Sequence, residues 1–343
     1  MALRLCPEAI VIRGDHERYS YYSDVVTDII RDSVPAYEKA SIDEFYLDLS
    51  GMDRFFGCYK WAIELREKII RETGLPISFG LSANKTVSKI ATGEAKPNNH
   101  QQIKHGAEKI FLAPLSVNKI PMVGEKTYQL LRGMGIEKIQ TLQQMPPELL
   151  FRAFGEHGKI IWDKANGIDD TPVVPYSERK SISTEETFQQ DTIDVVQLKN
   201  ILTGMTEKIA FQLREQHKLT ACVTVKLRYS NFDTHTMQSK IPYTSSDHIL
   251  INCVKELFDR LYQRRMLVRL IGVRFSHLVG GGQQMNLFED SGAMTKLYSA
   301  MDKLRRRFGS DAIQRAASTS YSSPLKSRNK KQDRSEEHTS ELQ

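Results

Sequence analysis

The chain is poor in the features that mark several large protein classes. No run of about 18 apolar residues occurs anywhere in it, so no segment reads as a helix that spans a bilayer. Its opening stretch, Met1-Ala2-Leu3-Arg4-Leu5-Cys6-Pro7, lacks the long apolar core of a secretory signal. Cysteine is scarce. Cys6, Cys58, Cys222 and Cys253 lie far apart with no C-x-x-C pair, which argues against structural zinc and a disulfide scaffold and predicts a reducing, cytoplasmic setting. With 20 Gly, 12 Pro and 40% hydrophobic residues, collagen-like and disordered classes are excluded as well. A soluble globular protein of 343 residues remains, and at about 100–200 residues per domain it should have more than one domain.

Positive charge is in modest excess: 48 Lys and Arg against 42 Asp and Glu, a net of +6. That allows an anionic partner without demanding one. The excess is concentrated between Lys218 and Arg274, where ten basic residues face four acidic ones in a β-rich stretch. The last ten residues, 334–343, resemble the translation of a sequencing-library adapter and are set aside from the fold.

Residues 1–100 alternate between α and β patterns. Helical periodicity covers 24–32 and 60–73, and 36–50 alternates as a hairpin would. A short strand at 77–81 runs into a helix over 85–95, which Lys96-Pro97-Asn98-Asn99 breaks. Residues 101–172 read as short helices punctuated by Gly and Pro, and 173–180 as an extended linker. Over 181–280, strands and two amphipathic helices follow the order β-α-β-β-α-β, the pattern of a ferredoxin-like domain. Residues 281–333 hold a Gly-flanked segment, a helix at about 295–308 and a Ser- and Lys-rich tail expected to be disordered.

Three motifs carry chemistry. Ser41-Ile42-Asp43-Glu44-Phe45-Tyr46-Leu47-Asp48 places adjacent carboxylates at the tip of an apolar hairpin. Neighbours in a regular strand face opposite ways, so both reach one site only if the backbone turns there. A bare Asp-Glu pair most often marks a solvated turn. Ser82-Ala83-Asn84-Lys85 through Ala95-Lys96-Pro97-Asn98 puts Lys85, Lys89 and Lys96 on and just after one helix; beside a carboxylate pair this suits a triphosphate bound through Mg²⁺, and alone it is equally a solvated basic face. Ile120-Pro121-Met122-Val123-Gly124 between helical segments reads as a helix-hairpin-helix, whose turn aims backbone N–H groups at phosphate. A generic αα-hairpin would look similar.

Taken in order, these motifs resemble those of the Y-family translesion DNA polymerases, most nearly the bacterial DNA polymerase IV branch, from about residue 1 to about 317. The resemblance implies an α+β multidomain fold: a partial palm (ferredoxin-like α/β) over 1–100, an all-helical thumb with helix-hairpin-helix over 101–172, and a little-finger DNA-binding domain over 181–280. It implies a DNA-directed DNA polymerase of low processivity, working with two Mg²⁺ ions on primer-template DNA and deoxynucleoside triphosphates. Asp43 and Glu44 would be catalytic metal ligands and Lys96 would hold the incoming triphosphate. Gly124 and Lys126 would bind duplex backbone. Arg179, Lys180, Ser181, Arg269 and Arg274 would touch the template backbone. Arg269 and Arg274 are five apart, so a bulge or twist is needed to aim both at DNA. Leu270 stands where some relatives carry a second basic residue. Gln284-Met285-Asn286-Leu287-Phe288 fits the bacterial sliding-clamp ligand pattern, with Gln284, Leu287 and Phe288 as its anchors. A monomer with no membrane partner completes the expectation.

At its start the chain matches the family only beyond the segment that bears a first metal-binding Asp, the aromatic steric gate and most of the fingers. The resemblance therefore implies a polymerase truncated at its N-terminus and possessing two of three carboxylates. The alternative is a non-catalytic module that grips primer-template DNA and the clamp.

Overall fold

The computed structural model describes residues 2–12, 14–52, 57–175, 178–281, 291–309 and 312–318. The chain divides into two compact units, Met1–Ser177 and Glu178–Gln343. Among the described residues no helix is long and apolar enough to cross a membrane.

In the first unit, a short helix α1 (Ala2–Leu5) precedes α2 (His16–Arg31). Helix α2 begins eight residues before the periodic stretch that predicts it, because Asp15 caps it, its side chain accepting from the Arg18 N–H. The hairpin expected over 36–50 is present: β1 (Ala36–Lys39) pairs antiparallel with β2 (Phe45–Asp48), Ala36 opposite Asp48 and Lys39 opposite Phe45. Helix α3 (Cys58–Thr73) ends at Gly74, whose φ of 72° is the left-handed cap glycine permits. Strand β3 (Phe79–Leu81) pairs parallel with β4 (His100–Gln102), a strand too short to show any alternation in sequence. Between them runs α4 (Lys85–Glu94), capped by Asn84, which accepts from the Val87 N–H. Helix α4 lies almost on the backbone of β3: a Cβ at Gly80 would sit 2.4 Å from the Ser88 carbonyl oxygen, so only glycine fits. A core of Val26, Ile29, Ile30, Leu49, Leu65 and Ile69 joins α2, α3 and the hairpin.

Short helices follow: α5 (Glu108–Leu112), α6 (Glu125–Gly133), α7 (Ile139–Gln144), α8 (Pro147–Phe154) and α9 (Glu156–Ala165). They share one core with α4, built on Val87, Ile90, Leu112, Leu131, Leu142 and Ile161. The limb entering the predicted hairpin turn is a single 3-10 turn, Val117–Lys119, rather than a full helix. Pro114 upstream and Pro121 downstream leave too few residues for two helical turns.

The second unit is a four-stranded antiparallel sheet ordered β5-β8-β6-β7, built from β5 (Ser181–Thr192), β6 (Lys218–Tyr229), β7 (Thr234–Thr244) and β8 (Val268–Gly280). Helices α10 (Val195–Glu215) and α11 (Asp247–Leu261) connect them in the order β-α-β-β-α-β. Each β-α-β unit is split by a third strand, β8 between β5 and β6, and β6 between β8 and β7. Both helices pack on one face, against Ile182, Val223, Val225, Leu227, Ile271, Val273 and Phe275. Helix α12 (Ser291–Phe308) follows.

Candidate functional site

The β1–β2 hairpin closes through residues 40–44. The Ala40 and Ser41 N–H groups both donate to the Glu44 carbonyl, at 3.0 and 3.2 Å. The backbone turns at the pair, as a shared site requires: Asp43 lies in the irregular tip and Glu44 at its exit, both exposed. The Ser41 hydroxyl donates to Asp43 Oδ1 at 2.6 Å. Lys89 Nζ reaches both oxygens of Glu44, at 2.9 and 2.7 Å. That contact, above all the hydrogen bond to Glu44, holds the Lys89 ammonium above its ordinary pKa.

Lys85 and Lys89 are four apart on α4 and so share a face. Lys85 donates to Glu38 Oε2 on β1 at 2.7 Å and lies 4.8 Å over the Tyr46 ring on β2. Helix α4 thus grips both strands of the carboxylate hairpin. Burial pushes the Glu38 carboxyl up, but the bonds from Lys85 and the Val174 N–H outweigh it and hold it below the usual range. Lys96 falls just past the helix, exposed, and has no described partner. It stands seven residues beyond Lys89 and two beyond Glu94, the last residue of α4. The lysine that meets Glu44 is Lys89, which the motif reading does not single out; its i, i+4 spacing from Lys85 is the signal that could have.

The segment after α9 is tied to the start of α4. Asp169 Oδ2 accepts from the Thr86 N–H at 3.1 Å, the Thr86 hydroxyl at 2.6 Å and Lys164 at 3.1 Å. Its other oxygen accepts from the Thr171 hydroxyl at 2.6 Å. Burial raises the Asp169 carboxyl, but the bonds from Thr171, Thr86 and Lys164 prevail and hold it far below the usual carboxylate range. A carboxyl depressed in the folded state contributes stability that is complete above its unfolded pKa, about 3.9, and is lost as pH falls below that value. Asp169→Asn is therefore expected to lower stability at pH 7 and to flatten its acid limb below about pH 4. Thermal melts of both proteins between pH 7 and 3 check this, and parallel curves would contradict it.

At the helical turn, Gly124 is the N-cap residue of α6, with no side chain capping the free N–H groups of the first turn. Gly124 and Lys126 are both exposed there, so donors and a cation face solvent together.

In the second unit, the sheet face opposite α10 and α11 has no helix over it among the described elements. Ser183, Arg274, Thr224 and Gln238 form one row across that face. On β8, Leu270 pairs with Arg228 and Val268 with Tyr229, which leaves Arg269 as an extra, bulged residue. The bulge shifts the alternation, so Arg269 and Arg274 share the open face despite their odd spacing. Arg269 lies 4.8 Å over the Phe232 ring and 3.7 Å from Asp191, whereas Arg274 has no described partner. Arg179 and Lys180 are exposed immediately before β5, and Ser181 is its first residue. Lys226 is paired with Glu185 at 2.8 Å on the same face. Gln284, Leu287 and Phe288 lie outside the described residues.

Among the described residues no three His, Cys, Asp or Glu side chains cluster as a metal site. The Asp43–Glu44 pair offers hard carboxylate oxygens of the kind that hold Mg²⁺ when waters and substrate phosphates supply the remaining ligands, so the donor set suits one such ion.

Comparison with known proteins places these features in context. The chain resembles a Y-family DNA polymerase chimera of Dbh and Dpo4, with a TM-score of 0.69 at 22% identity over 82% of each chain. It also resembles an insertion ternary complex of Dbh DNA polymerase, with a TM-score of 0.58 at 21% identity over 82% of each. The fold is accordingly that of a Y-family polymerase. Residues 1–93 match the impB/mucB/samB family and residues 179–287 the impB/mucB/samB family C-terminal domain. DNA polymerase IV of Dehalococcoides mccartyi is 34% identical over 91% of this chain and 81% of its own length. That of Clostridium kluyveri is 32% identical over 91% and 81%. The chain belongs to the DNA polymerase IV branch of the Y-family DNA-directed DNA polymerases.

Proposed function

We propose that this chain extends primers on a DNA template by nucleotidyl transfer of the lesion-bypass type. The primer 3′-hydroxyl attacks the α-phosphorus of a deoxynucleoside triphosphate and pyrophosphate leaves. The observation that carries this reading is the exposed Asp43–Glu44 pair at a hairpin tip with Lys89 against it. Asp43 and Glu44 would hold Mg²⁺, which when bound neutralises charge on the reacting phosphates. Lys89 balances the Glu44 charge, and Lys96, which has no partner among the described residues, offers its ammonium to the triphosphate. The N-terminus of α6 at Gly124 and Lys126 suits a backbone phosphate, which it would bind without reading bases.

Arg179, Lys180, Ser181, Arg269 and Arg274 form the proposed template grip. Arg274→Ala is expected to weaken primer-template binding equally on unrelated sequences and to reduce the slope of log K against log salt by about one. Anisotropy titrations at several salt concentrations check this, and a loss confined to some sequences would contradict it. Gln284, Leu287 and Phe288 are proposed to bind a sliding clamp, a reading supported by the sequence pattern alone.

The function itself is tested by primer extension with Mg²⁺ or Mn²⁺ and each deoxynucleotide in turn. Extension dictated by the template base supports it. Primer-template binding without extension under either metal would favour the non-catalytic module instead.

A further inference from the structure

We propose that Ser23 is a positioning residue for the carboxylate loop: its buried hydroxyl holds the Ile42 carbonyl and so sets the pose in which Asp43 meets a divalent metal. The inference rests on the polymerase reading above for its metal, and on geometry alone for its loop.

Helix α2 buries Ser23, Val26, Ile29 and Ile30, three aliphatic side chains and one hydroxyl. Ser23 is only 6% exposed. A buried serine within a helix ordinarily returns its hydroxyl to the carbonyl four residues back. Nearby hydroxyls do so: Thr27 donates to the Ser23 carbonyl at 2.6 Å and Ser33 to the Ile29 carbonyl at 2.7 Å. Ser23 instead donates outward, to the Ile42 carbonyl 19 residues away, at 2.5 Å. Among the described hydrogen bonds this is the one backbone link from loop 40–44 to another element.

Peptide planarity carries the constraint to the metal ligand. The Ile42 carbonyl and the Asp43 N–H belong to one rigid plane, so orienting the first orients the second. The Asp43 N–H points at the Ser41 hydroxyl oxygen, 3.3 Å away, and that hydroxyl donates to Asp43 Oδ1 at 2.6 Å. Ser23 thus reaches the carboxylate through one peptide plane and one hydroxyl. On the hairpin's entry strand, Lys39 donates to Thr27 at 2.9 Å and lies 3.4 Å from Asp24, so α2 holds the hairpin on a second side. Lys89 acts separately, on the Glu44 side chain.

The test compares full-length wild type with Ser23→Ala, Ser23→Cys and Ser23→Thr. Cysteine fills the volume but donates weakly, and threonine keeps the hydroxyl. Three quantities are measured: amide exchange across residues 40–45, the Mn²⁺ dissociation constant with primer-template and a non-reactive nucleotide analogue, and the metal dependence of extension. Losing one net hydrogen bond should speed loop exchange and weaken Mn²⁺ each by about fivefold in the Ala and Cys variants. Extension should recover at saturating metal, with KM for DNA unmoved, and Ser23→Thr should behave like wild type. Unchanged exchange and Mn²⁺ affinity in the Ala and Cys variants would overturn the proposal. So would failure of both to fold, which would make Ser23 a core residue only, and so would Ser23→Thr behaving like Ser23→Ala. Wild type that binds Mn²⁺ yet never extends would overturn the polymerase reading while leaving this one standing on exchange and affinity.

Discussion

Asp43→Ala is expected to reduce template-directed extension by about a thousandfold while leaving primer-template affinity within about twofold. The first figure follows if the missing ligand forfeits about 4 kcal/mol of charge stabilisation at the reacting phosphates, at 1.36 kcal/mol per decade of rate. The second follows from separation of tasks, since the proposed DNA contacts lie at α6 and on the β8 face. Asp43 is exposed and its described bonds run to Ser41 within the same turn, so its loss should not unfold the hairpin. Single-turnover extension and an anisotropy titration on the same preparation separate the two effects. Retained synthesis would remove Asp43 from the metal site. A parallel loss of DNA affinity would mean that the loop itself contacts DNA.

The second large effect concerns stability of the second unit. Arg214, on α10, donates to Asp247 at 2.5 Å, to the Ser245 carbonyl at 2.8 Å, and through two nitrogens to Asp302 at 2.6 and 3.0 Å. It also lies 5.1 Å over the Tyr298 ring. Asp247 has no exposed side-chain surface and Asp302 only 7%. Arg214→Met would leave Asp247 buried without its cation and Asp302 with only Arg305, 3.8 Å away, a change that costs about 3–5 kcal/mol. At about 2–4 °C per kcal/mol for a unit of this size, its melting temperature should fall by roughly 10 °C. Because Asp302 and Tyr298 belong to α12, the variant should also expose α12 to limited proteolysis. Adding Asp247→Asn to Arg214→Met should recover part of the loss, since Asp302 still faces Arg305 and no buried charge is then left without an opposite one. A single substitution that melts like wild type would show that water reaches these carboxylates.

The carboxylate hairpin was legible because two strong local signals coincide: alternation over 36–50, and two adjacent charges that no strand interior accommodates. The strands and helices of the second unit were legible for the same reason, being long and regular. Helix α2 was partly hidden, because its first turn carries His, Glu, Arg and Tyr rather than an apolar stripe, and only the Asp15 cap announces it. Strand β4 was invisible: three polar residues pair only because β3 offers them an edge. The need for a bulge or twist to aim Arg269 and Arg274 together followed from counting residues, but its form and place did not, since they depend on which residue of β6 each residue of β8 faces.

What the sequence by itself determined is the order of elements, the carboxylate pair at the hairpin tip and the basic character of the 218–274 stretch. Each of these depends on residues near one another in the chain, through backbone propensity, alternation and charge. What only the tertiary structure decided is which groups meet across long separations. It chose Lys89 as the partner of Glu44, set Asp169 on Thr86, turned the Ser23 hydroxyl to Ile42, and buried Arg214 between Asp247 and Asp302. Periodicity says that a side chain faces inward, but the group it meets there depends on packing, and a buried polar group needs one particular partner within hydrogen-bond reach.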